Sequence, residues 1–161
     1  MITALFALAC ASSPTDTSGD TSADTGDTAD TGTDTADVLA AELVDARADW
    51  DACGLESYTF VLQYQCFCPA EMTGPATITV EAGAVVAATY VGNGEPVDES
   101  FTIRDVPALF GLVGDAIGRP ADQITVTWDA TCGYPTAAYF DYEIDADDEE
   151  LGFTVTALGG G

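Results

Sequence analysis

The chain contains no histidine and no lysine, and its 161 residues carry three basic side chains, Arg47, Arg104 and Arg119, against 28 acids. Each absence closes off chemistry. Without histidine there is no Ser-His-Asp or Cys-His nucleophile and no usual zinc site. Without lysine there is no Schiff base and no phosphate-loop lysine. A formal charge of −25 repels phosphate backbones and anionic headgroups alike. Neither nucleic acid nor simple electrostatic docking on a bilayer is therefore expected. Seven of the acids precede Val38; the other 21 follow it together with all three arginines, so the folding part is itself near −18. Such self-repulsion predicts a domain that salt stabilises.

Long apolar runs are also scarce. Met1–Cys10, MITALFALAC, is the most continuous near the N-terminus, and it is far short of the ~20 residues that span a bilayer. It looks like the end of a secretory apolar region followed by a lipobox, whose cysteine becomes the lipidated N-terminus after cleavage. Ala7 stands where leucine is usual, Leu8 comes one place late, and no basic residue precedes the run. Residues 1–9 are read as a lipoprotein-type signal peptide and Cys10 as the membrane anchor. Ala11 after it resembles the residues that permit outer-membrane sorting.

Residues 11–37 contain Thr, Asp, Ser, Gly and Ala, one proline and no large apolar side chain. Such a segment cannot bury enough surface to offset its chain entropy. Its imperfect Asp-Thr-Gly/Ala repeat places acids every three or four residues, whereas calcium loops place oxygens two apart. Residues 10–37 therefore read as the lipidated cysteine plus a disordered acidic leash. Residues 38–161 make one globular domain, for which this length suffices.

Within that domain, Leu39, Leu43, Ala46 and Trp50 form one helical stripe, with Asp37 as its expected N-cap and Gly54 as its end. From Ser57 to Cys68 the pattern alternates: Tyr58, Phe60, Leu62, Tyr64, Cys66 and Cys68 point one way, Thr59, Val61, Gln63, Gln65 and Phe67 the other. Pro69 ends the run. Residues 76–81 and 85–91 alternate around Ala82-Gly83-Ala84, the signature of a hairpin. A second helix opens at Asp105 with Pro107 in its first turn, and closes at Gly118-Arg119-Pro120. Three further strands are expected over 123–129, 136–144 and 151–157. The fold class is α+β: a single antiparallel sheet of about six strands with two helices on one face, preceded by a disordered acidic linker.

Several pieces carry a resemblance: Trp50, Tyr58-x-Phe60 leading to Cys66-Phe-Cys-Pro69, the Glu81–Val85 hairpin, Thr102–Phe110, Gly133-Tyr-Pro-Thr136 and Asp147-Asp-Glu149. Together, over residues 45–157, they resemble a family of small bacterial secreted and lipoprotein domains of uncharacterised function. Arg104 stands where such domains more often show an acid. The resemblance implies an envelope-facing globular domain and brings no activity.

With Cys10 assigned to lipid, Cys53, Cys66, Cys68 and Cys132 remain, and an even number in an exported chain favours two disulfides with three connectivities. The resemblance implies Cys66–Cys68 with Cys53–Cys132, because family members carry the Cys-Phe-Cys pair without the other two. Positions i and i+2 of an extended strand lie about 6.5–7 Å apart, at the upper limit of bridging, so the chain would have to bend at Cys68-Pro69. No Cys-x-x-Cys spacing supports a redox role, and capture of a soft metal by Cys66, Cys68 and Met72 has no better support.

Only carboxylate-pair hydrolysis survives the missing residue types, with Asp129, Asp141 and Glu143 as its candidates. Exposed acids are the simpler reading in so acidic a chain. Asp145, Asp147, Asp148, Glu149 and Glu150 crowd one turn. The first four form a weak calcium candidate that lacks the glycine and spacing of an EF-hand, and a charge-guarded hairpin is the plainer role. A pocket lined by Tyr58, Tyr64, Trp128 and Tyr139 would favour ligand binding.

The expectation is an outer-membrane lipoprotein facing the periplasm or the surface, a tethered non-catalytic binding or structural module. The alternatives are a calcium-dependent adhesion-type domain and, behind it, a carboxylate hydrolase. No cofactor is expected. The partners are the membrane through the lipid and an unidentified protein or small molecule.

Overall fold

The structure, a computed structural model, describes residues 35–119, 121–143, 145–146 and 148–160. The expected signal peptide, Cys10 and the expected leash up to residue 34 fall outside them, as does Asp147.

The elements follow as α1 (Thr35–Cys53), β1 (Tyr58–Cys66), α2 (Ala70–Thr73), β2 (Ala76–Glu81), β3 (Ala84–Tyr90), α3 (Val106–Gly118), β4 (Gln123–Trp128), β5 (Pro135–Asp141) and β6 (Leu151–Gly160). The six strands form one antiparallel sheet in the order β3-β2-β1-β6-β5-β4. Each half is a meander, and β1 joins them by pairing with β6, so α3 carries the chain from one sheet edge to the other. This is the expected α+β architecture, with α2 added. That single turn buries none of its residues and so leaves no periodic trace in the sequence.

Burial explains why the strands sit as they do. Tyr58, Phe60, Leu62 and Tyr64 are buried along β1 while Thr59, Gln63 and Gln65 are exposed. Register then carries the inward side chains straight across the sheet: Tyr64 lies opposite Phe153, Phe153 opposite Ala138, and Ala138 opposite Val126. Leu43, Ala46 and Trp50 of α1 and Val106, Leu109, Phe110, Val113 and Ala116 of α3 close this face into one core. Each fully buried large side chain, such as Phe60, Phe140 or Phe153, contributes about 1.5–3 kcal/mol.

Four ends differ from expectation, among them that of β5, which stops at Asp141, three residues short of the expected 144. Helix α1 begins at Thr35, which puts Asp37 in its first turn, beside the positive end of the helix dipole, and not at the cap. β1 stops at Cys66 because the chain bends there. β6 continues past residue 157 to Gly160 through a bulge, with Ala157 at φ +52° and the register slipping opposite Thr59–Val61. Other boundaries fall where the residues place them. Gly54 ends α1 at φ +63°, Ala82 and Gly83 turn the β2–β3 hairpin at φ +48° and +75°, and Asp105 accepts the Ala108 N–H at 2.8 Å to cap α3.

Charge is partitioned along with polarity. The six strands contain only two acids, Glu81 and Asp141, each the last residue of its strand. The other described acids lie in helices and loops, so the sheet carries charge only at two strand ends in a strongly anionic molecule.

Candidate functional site

One end of the sheet gathers the features that have no structural explanation. β1 arrives there at Cys66, whose Cα lies opposite Leu151 at the start of β6. Cys66 pairs with Cys68 at a Cα separation of 5.2 Å, inside the normal bridging range because the bend has shortened the extended spacing. The bond joins residues two apart and so staples no elements together. What it does is shape the tip. Phe67, held between the two cysteines, is 85 % exposed, the most exposed of the large apolar side chains described. Bonded to each other, Cys66 and Cys68 have no thiolates to offer a soft metal alongside Met72. The other bridge does staple: Cys53 at the end of α1 pairs with Cys132 in the β4–β5 connection, 79 residues on.

The four aromatic residues considered as a pocket lining do not meet. Tyr58 and Tyr64 are buried in the core at 3 % and 5 % exposure. The Tyr58 hydroxyl accepts the Val106 N–H at 3.3 Å. The Tyr64 hydroxyl donates to the Thr102 carbonyl at 2.9 Å and accepts from Arg104 Nη1 at 2.8 Å. Burial raises both phenols above their ordinary value, outweighing the hydrogen bonds that lower them. Trp128 stacks on Phe110, ring centroids 5.9 Å apart, and its buried indole N–H has no partner. Tyr139 alternates with the inward Phe140 and so takes the opposite side of β5.

Of the hydrolase candidates, Asp129 separates from the other two. Asp129 Oδ1 accepts the N–H groups of Thr131 and Cys132, at 3.0 and 2.7 Å, and so builds the turn that positions the Cys53–Cys132 bridge. Asp141 sits opposite Gln123 at the far end of the β4–β5 pair. About six strand residues, or roughly 20 Å, part it from Asp129, against the ~5–9.5 Å that glycoside hydrolysis uses. Asp141 is 7 % exposed with Oδ1 unpartnered. Glu143 lies within reach of Glu149. Desolvation, then the charges of Glu143, Asp148 and Asp141, raise the Glu149 carboxyl.

Of the calcium candidate, Asp147 lies outside the described residues, and Asp145 and Asp148 are exposed. Among the described residues no three His, Cys, Asp or Glu side chains are grouped to hold a metal ion. No described helix is long and apolar enough to cross a membrane.

Beside the tip lies a groove of about 890 Å³ between α3 and the start of β6, lined by Leu112, Asp115, Gly118, Arg119, Tyr142 and Glu149, with Leu151 among its walls. Arg119 lies 4.5 Å from the Tyr142 ring centroid and is hydrogen-bonded to Tyr142, which holds its guanidinium above the ordinary value. Sequence reasoning did not collect these residues. Two signals pointed there: Arg119 is one of only three cations, and Gly111, Gly114 and Gly118 interrupt a helix that is otherwise apolar but for Asp115.

No curated protein and no solved structure matches the chain. A family match covers residues 42–159, from the second turn of α1 to the end of the sheet, and so takes in both bridges, the tip and the groove. The chain belongs to the family of unknown function DUF6174.

Proposed function

We propose that the chain is an envelope lipoprotein whose domain is a non-catalytic binding module. It is leashed through Cys10 by the acidic spacer and meets a protein partner through the Phe67 tip. The observation that carries this reading is the exposure of Phe67, 85 %, on a turn locked by the Cys66–Cys68 bond. A free aromatic side chain on a preorganised turn gives up little conformational entropy when it enters a partner's apolar pocket. The bond contributes to the shape of that turn and, spanning two residues, little else. The anionic body supports a protein partner over the bilayer itself, because a net charge of −25 repels anionic lipid.

A photo-crosslinking side chain placed at position 67 in the full-length protein in cells tests the contact. A discrete protein adduct is expected from position 67 and none from Gln63 on the open sheet face. No adduct at 67, or equal adducts from both positions, refutes the reading. Mass spectrometry of the unreduced envelope fraction tests the tether through the mass added to Cys10.

A further inference from the structure

The groove beside the tip has a composition that narrows its ligand to one chemical class. Its charged walls are Asp115 and Glu149 on one side of the balance and Arg119 on the other. Anionic ligands are opposed by the −25 charge of the chain. Organic cations would seek the Tyr142 ring face, but the Arg119 guanidinium already covers that ring at 4.5 Å. A neutral apolar ligand would strip water from two carboxylates and a guanidinium and return no hydrogen bonds. What remains is a neutral molecule dense in both donors and acceptors. Hydroxyls of such a molecule would find acceptors in Asp115 and Glu149 and a donor in Arg119, leaving Leu112, Leu151 and the bare backbone at Gly118 to face its C–H surface.

We propose that the groove between α3 and the start of β6 binds a neutral saccharide. Its volume, about 890 Å³, falls within the range of small-molecule sites. Gly118 leaves bare backbone on the groove wall. A Cβ built there meets no atom within 4 Å, and its φ lies outside the left-handed region, so no contact or backbone strain demands glycine. As the last residue of α3 it escapes most of the penalty that glycine carries inside a helix, and a larger side chain at this position would have open space to enter. The site is separate from the Phe67 contact and does not depend on it.

The test is an amide-resolved NMR titration of the full chain with cellobiose, N-acetylglucosamine, glucuronate and putrescine as probes. Saturable shifts at Leu112–Arg119 and at Tyr142, Glu149 and Leu151 are expected with at least one neutral sugar, and none with glucuronate. Gly118→Leu fills the groove, and is expected to keep a folded spectrum and bind the sugar at least about tenfold more weakly. Glu149→Gln is expected to weaken binding in the same direction, and Asp45→Asn, an equal change of charge on α1, to leave it unchanged. Shifts with putrescine alone, no saturable shift with either sugar, or undiminished binding to a folded Gly118→Leu would each overturn the proposal.

Discussion

Trp50 of α1 stands edge-on to Tyr58 of β1, ring centroids 5.2 Å apart at 84°, and the Tyr58 hydroxyl in turn accepts the first N–H of α3. Two residues thus tie both long helices to the central strand. Truncating Trp50→Ala is expected to cost about 3–5 kcal/mol. Tyr58→Phe, which keeps the ring and leaves the Val106 N–H without its acceptor, is expected to cost about 1 kcal/mol. Urea denaturation of the two variants checks the ratio, and equal losses would contradict the division of labour.

The two disulfides should differ sharply in what they contribute. Breaking Cys53–Cys132 frees a long loop, and the double serine variant is expected to lose about 4–5 kcal/mol. The same change at Cys66 and Cys68 frees almost no chain and is expected to cost about 1–2 kcal/mol. Thermal unfolding of both variants decides this, and a larger loss at Cys66–Cys68 would show that the tip braces the sheet.

Gly133 is required by both its backbone and its neighbours. It sits at φ +70°, and a Cβ there would run into the Ala46 carbonyl and come within 2.8 Å of Asp49 Cβ on α1. Gly133→Ala is therefore expected to cost about 2–4 kcal/mol, combining left-handed strain with overpacking. Gly92→Ala, in open space and at an ordinary φ, is expected to cost well under half as much. Chemical denaturation of the pair measures the difference.

Alkaline pH should loosen the core. Tyr58 and Tyr64 ionise above the ordinary phenol value of 10.0 because burial disfavours the phenolate. A folded-state value above the unfolded one means that the contribution is whole below pH 10 and is lost as pH rises through the folded values. Stability is expected to fall across that window, and less steeply in Tyr64→Phe, one of the two raised phenols having been removed. Denaturation midpoints between pH 8 and 11 read this out, and parallel curves would exclude Tyr64 as a contributor.

Arg104 shows what a single position can hide. Read along the chain it is one of three basic residues in a strongly acidic sequence. In the fold it donates to the Tyr64 hydroxyl from 40 residues away and lies 5.7 Å from the centre of that ring. All three arginines behave alike, Arg47 over Phe110 and Arg119 over Tyr142 completing the set. In so acidic a chain the few cations serve buried or half-buried aromatic rings, which no spacing rule would have foretold.

Local physics made much of this protein legible without coordinates. Period-two alternation in residues 58–65 set which side of β1 is buried, the four-three-four stripe of α1 placed Trp50 inward, and Asp105 and Gly54 marked helix ends, since these effects act over a turn or a strand pair. Tertiary structure alone decided the rest: that β1 meets β6, that Asp129 and Asp141 end up at opposite ends of a hairpin, and that Tyr58 and Tyr64 are core. It also decided that Arg119, Tyr142 and Glu149 face one groove. Those outcomes depend on which distant segments share a boundary, and that is set by how the whole apolar surface closes.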